Sequence, residues 1–200
     1  MYNLENNLFR YATKELSQDA FICWLCSYAL EHADNSDEEL VKCGRKLVSE
    51  FLTKGNIQVD NINNVTLKSV DKQFEQIDIL LTVQYDGELY KIIIEDKVNP
   101  SEHDDQLHRY KAKLEDEDTH LICIYLKTGF QSDLSEINKA GYKLFDRKDL
   151  LEILKSCKSQ NSILLSFREY WDNFESIAQY YKNKPVDKWP DWPTVNGFYD

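Results

Sequence analysis

Asp78, Glu95 and Lys97 are two carboxylates and an ammonium that one hairpin can bring to a single face. Residues 76–85 and 88–98 are rich in β-branched and aromatic side chains, and only Asp86-Gly87 separates them. Both central residues of a type I′ turn need φ > 0, which Gly takes freely and Asp tolerates, so this dipeptide predicts a two-residue hairpin. Tyr85 then faces Glu88, every facing pair of residue numbers sums to 173, and Asp78 faces Glu95. A three-residue loop or a bulge would shift that register. Counted from the turn, the two acids occupy a non-hydrogen-bonded position, where Cα atoms stand about 4.5 Å apart and side chains share a face. Lys97, two beyond Glu95, leaves from the same face, whereas Asp96 points to the other.

Like charges directly opposite on a sheet are unfavourable, and each carboxylate raises the pKa of the other unless something neutralises them. A divalent cation does so well. Two carboxylates, water and phosphate oxygens form a typical Mg²⁺ site, because that ion favours oxygen and keeps much of its hydration. Lys97 can then orient or activate a water, or balance charge at a pentavalent phosphorane. An isolated E-x-K at a strand end is ordinarily a salt bridge, and the facing Asp78 is what argues for chemistry here.

The elements that must hold these groups are legible on either side. Leu80 faces Ile93 on the side of the acids, while Ile79 faces Ile94 and Leu81 faces Ile92 on the other. A strand pair apolar on both faces calls for helices on each side of the sheet. Carboxylates at the edge of such a core are costly without a purpose. After Pro100, Ser101 and Asp104 predict the start of a helix in which Gln106 and Tyr110, four apart, share a face.

Asp78, Glu95-Asp96-Lys97 and the segment Gln106-Leu107-His108-Arg109-Tyr110 together resemble the active-site pattern of the PD-(D/E)XK nuclease superfamily, and in particular its RecB-like branch with a Q-x-x-x-Y motif. The resemblance implies Mg²⁺ ligation by Asp78 and Glu95, with Mn²⁺ able to substitute, and water activation by Lys97. It also implies positioning roles for Gln106 and Tyr110, and hydrolysis of DNA phosphodiesters. Ile77 stands where the literal motif has proline. Glu15-Leu16-Ser17, followed by an apolar stretch, resembles the N-terminal pattern of a bacterial PD-(D/E)XK family, in which an upstream helical Glu completes the metal site. Glu15 is therefore a candidate third ligand, with Glu50 as the competing upstream acid.

The remaining chain supplies the core of a restriction-endonuclease-like αβββαβ fold, with a mixed sheet between helices. Residues 3–13 have helical character, and Ser17 is a candidate cap for the helix carrying Phe21, Ile22, Trp24, Leu25, Tyr28 and Ala29. Ser36 predicts a second helix through a capping box to Glu39, ending at Gly55, with Gly44 marking a close helix contact. Residues 65–70 alternate as a first strand, and residues 119–126 read as a buried fourth strand before Gly129. A crossover between the third and fourth strands is expected to be right-handed if they run parallel. A short helix over 134–140, a strand over 142–145 and an Asp146-capped helix extend the sheet. We expect a nuclease-like domain over 1–158. Residues 159–200 are expected to form a C-terminal helix (161–181) and a Trp- and Pro-rich tail, both packing on that domain.

Composition bounds the rest. The chain has 200 residues, enough for one domain with a proper core. Five cysteines include Cys23-x-x-Cys26 within an apolar helical pattern and no second ligand pair, which reads as core packing and reduced thiols in a cytoplasm. His103 and His108 read as surface residues. No apolar run is long enough for a membrane span. Net charge is −11, and residues 56–132 hold 15 acidic against 8 basic side chains. A duplex-binding surface is usually basic, so the charge favours weak or single-strand binding or a basic protein partner. A catalytically inactive nuclease-fold module that binds a protein through its acidic surface is the alternative, and an oligomer is compatible with either.

Overall fold

The computed structural model describes residues 6–12, 15–33, 36–97, 114, 120–129, 134–182 and 184–185. Over these residues the elements run α1 (Glu15–Ser27), α2 (Glu38–Lys54), β1 (Thr66–Phe74), β2 (Ile77–Tyr85), β3 (Glu88–Lys97), β4 (His120–Lys127), α3 (Ser135–Lys139), β5 (Lys143–Asp146), α4 (Arg147–Ser156) and α5 (Ser162–Lys182). The sheet order is β1-β2-β3-β4-β5. The first three strands pair antiparallel, while β3–β4 and β4–β5 pair parallel. The sheet is therefore mixed, with helices on both sides, as in the restriction-endonuclease-like core.

The Asp86-Gly87 turn has positive φ at both residues, 51° and 84°, and β2–β3 pairing follows the expected register from Tyr85–Glu88 to Ile79–Ile94. One face of the hairpin (Ile79, Leu81, Ile92, Ile94) enters the larger core beneath α1, α2, α4 and α5. The other (Leu80, Ile93) meets Cys123, Tyr125 and the α3 side, in a cluster that Ile77 joins where the β2–β3 pairing has ended. In the larger core Phe21 of α1 stacks on Phe167 of α5, with ring centroids 3.6 Å apart.

Helix boundaries follow local chemistry, with three departures. Asp37, not Ser36, caps α2, because its Oδ1 accepts the backbone N–H groups of both Glu39 and Leu40 at 3.1 Å. Helix α1 already begins at Glu15, so Ser17 lies inside its first turn. Of residues 3–13, the described part forms one 3₁₀ turn, Leu8–Arg10, capped by Asn7. Gly55 closes α2, and Asp146 caps α4 through a reciprocal box with Asp149. At Gly44 an added Cβ would lie 2.4 Å from the carbonyl oxygen of Leu25, which is the close α1–α2 approach its position predicts.

All five cysteines are free thiols, and Cys26 is fully buried in the core. No described helix is long and apolar enough to cross a membrane. The helix expected after Ser101, with Gln106, Tyr110, His103 and His108, and the tail beyond residue 185 lie outside the described residues.

Candidate active site

The site forms where β2 and β3 part. Their main-chain pairing ends at Ile79–Ile94. A continued ladder would direct the Asp96 N–H to the carbonyl of Ile77, but Oδ2 of Asp78 accepts it instead at 2.9 Å. Glu95 lies one step beyond the last pair, on the face of Asp78. Lys97 follows on that face, with Nζ 2.8 Å from Glu95 Oε1 and 3.9 Å from Asp78 Oδ2. The structure thus brings the three residues together in the expected order.

Their exposure is graded: the side chain of Asp78 is 24% exposed, that of Lys97 14% and that of Glu95 1%. Burial, with Asp78 nearby, pushes the Glu95 carboxyl up to about 7. Burial alone would pull the Lys97 ammonium down, but the carboxylates of Glu95 and Asp78 reverse this and hold it above the usual lysine range. Lys97 therefore keeps its proton at neutral pH.

Glu15 opens α1 and is among the charges acting on both Lys97 and Asp19, which places it at the edge of the same cluster. Glu50 lies in α2, which packs on β4 and β5. Among the described residues no set of three or more His, Cys, Asp or Glu side chains is arranged as a complete metal cage. The donor chemistry still fits a hydrated hard cation. Asp78 and Glu95 offer oxygen ligands, Glu95 is buried beside a like charge, and Mg²⁺ keeps several waters rather than requiring an all-protein shell.

Behind the site lies a group of polar residues that the sequence reading did not single out. Asp96, turned to the opposite face, is fully buried. Its Oδ1 accepts a hydrogen bond from Gln18 Nε2, and its carboxyl pairs with that of Asp19. Asp19 Oδ1 and Asp96 Oδ2 are buried with no N–H or O–H donor among the described residues, and a proton on one of the two acids would supply the donor that two carboxylates lack. Burial, with the second acid beside it, drives the Asp96 carboxyl far above the carboxylate range, and burial brings Asp19 to about 6. Gln18 Oε1 in turn accepts from Thr128 Oγ1 at 2.9 Å. Lys127, buried and paired with Lys97 across β3–β4, leaves the sheet on the site's face. One available signal was Gln18 itself, four residues before Ile22 on the buried stripe of α1, where an amide needs a partner.

A family model of the PD-(D/E)XK nuclease superfamily matches residues 6–182. The chain belongs to the PD-(D/E)XK nuclease superfamily, whose members are in general nucleases acting on phosphodiesters. No curated protein and no solved structure matches the chain.

Proposed function

We propose that the protein is a Mg²⁺-dependent nuclease that hydrolyses phosphodiester bonds of DNA by direct attack of water. The observation that carries this reading is the sharing of one sheet face by Asp78, Glu95 and Lys97 within ion-pair distance. Asp78 and Glu95 hold the cation, with Glu15 as a third carboxylate at the edge. Lys97 stays protonated, so its role is to orient the attacking water by hydrogen bonding and to stabilise negative charge growing on the phosphoryl oxygens. When bound, the cation supplies Lewis-acid polarisation of the phosphate. Gln106 and Tyr110, as in the RecB-like Q-x-x-x-Y pattern, are assigned to positioning substrate or site.

A second reading, an inactive module binding a basic protein through its acidic surface, draws on the net charge of −11. The two are separated by incubating wild type, Asp78→Ala and Lys97→Ala with Mg²⁺ and linear duplex, circular duplex, single-stranded DNA and RNA. Cleavage of DNA that drops about 100-fold or more in both folded variants supports the nuclease. Equal activity in all three proteins sinks it. Preference for RNA would move the substrate, and a wholly inert wild type would favour the binding module.

A further inference from the structure

The buried polar chain behind the site takes no direct part in the hydrolysis just described, yet it ends on the peptide that holds Asp78. Asp96 joins the two sides of the sheet. On one side its N–H donates to Asp78 Oδ2 at 2.9 Å; on the other its carboxyl is gripped by Gln18 and Asp19 of α1. Gln18 is buried, and both ends of its amide are committed: Nε2 donates to Asp96 Oδ1 and Oε1 accepts from Thr128 Oγ1 at 2.9 Å. In this orientation the amide N–H meets the carboxyl oxygen and the amide oxygen meets the hydroxyl, so each end of Gln18 has a complementary partner. Beyond Thr128 the chain is anchored further. Its carbonyl accepts from Arg147 Nη1 at 2.6 Å, and the Arg147 guanidinium is held by Glu175 of α5 at 2.8 and 2.9 Å.

We propose that Gln18 is a positioning residue for the cation site: by clamping Asp96 it fixes the peptide N–H that holds Asp78 Oδ2, and so the orientation in which the Asp78 carboxylate would be offered to a cation. The inference rests on the nuclease reading, since it requires Asp78 to be a ligand. The same tie sets the register of α1 against β3. Glu15 stands one turn before Gln18 and Asp19, so its place at the edge of the site depends on that register too. A carboxylate ligand already hydrogen-bonded through one oxygen loses less freedom on binding, and removing such outer partners typically costs about 10–100-fold in metal affinity.

The test is calorimetric titration of Mn²⁺ into wild type, Gln18→Leu, Thr128→Val, Asp96→Ala and Asp96→Asn, with the thermal unfolding midpoint of each. Gln18→Leu and Asp96→Ala are expected to raise the Mn²⁺ Kd about tenfold or more, and Thr128→Val to raise it less. Asp96→Asn keeps an oxygen for Gln18 and an N–H donor for Asp19, so it should recover most of the affinity that Asp96→Ala loses. For DNA cleavage, Gln18→Leu is expected to lower kcat with KM unchanged. Should Gln18→Leu fail to fold, Thr128→Val, nearly the same shape, decides. A lowered midpoint with wild-type Mn²⁺ affinity in Gln18→Leu and Thr128→Val means a merely structural role, which overturns the inference and leaves the nuclease reading standing. A wild type that binds no Mn²⁺ overturns both.

Discussion

The backbone N–H of Asp96 donates to Oδ2 of Asp78 at 2.9 Å, so the strand that carries Glu95 and Lys97 also orients the acid facing them. The carboxylate of Asp78 has two separable tasks, accepting this hydrogen bond and carrying charge. Asp78→Asn keeps an oxygen for the Asp96 N–H and loses the charge. It is expected to fold with a wild-type midpoint while Mg²⁺-dependent cleavage falls about 100-fold or more. Activity within a few-fold of wild type would show that the charge of Asp78 is dispensable.

The buried acids make stability depend on pH in an unusual direction. Burial raises Glu95 to about 7 from 4.5 and Asp19 to about 6 from 3.8, so around pH 5 the folded protein holds protons that the unfolded chain has released. With more protons bound in the native state, stability falls as pH rises from 5 towards 8, by about 1.4 kcal/mol per unit of pKa shift. In chelator, the unfolding midpoint should be lower at pH 8 than at pH 5.5, and Mn²⁺ should restore part of the loss at pH 8. A midpoint that rises over this range in chelator contradicts the assignment of these protons.

The β1–β2 turn is strained. Glu75 and Gln76 have φ of 49° and 77°, the left-handed region, with no glycine or asparagine to accommodate it. Gln76 is exposed, so Gln76→Gly removes the steric cost without opening the core. It is expected to stabilise the protein by about 0.5–1 kcal/mol, raising the midpoint by roughly 1–4 °C. Thermal melts of the two proteins read this directly, and a lowered midpoint would show that the Gln76 side chain matters more than its backbone.

The hairpin was legible because one dipeptide determines its register down to Ile79–Ile94, which sets Asp78 and Glu95 one step beyond on one face; the parting of the strands there, with Asp78 accepting the Asp96 N–H, was not. Gly55 and Asp146 were legible for the same reason: each end is decided within a few residues. Ser36 and Asp37 are adjacent and similarly favoured as caps, and local sequence does not choose between them; Asp37, whose Oδ1 caps the helix, is also held through Oδ2 by the Ser159 hydroxyl at 2.5 Å from far along the chain. The tight β1–β2 turn was missed because Glu75-Gln76 has no turn-forming residue; sheet pairing on both sides imposes the conformation. Gln18 and Asp96 are 78 positions apart and Gln18 and Thr128 are 110 apart, so their network exists only once α1 is laid across β3 and β4.

The most direct measurement is titration of Mn²⁺ into wild type and Asp78→Ala, both shown to be folded. A cation held between Asp78 and Glu95 predicts saturable binding to the wild type, with the affinity lost in the variant. Equal binding by both proteins, or none by the wild type at millimolar Mn²⁺, would contradict a cation site at the parting of β2 and β3.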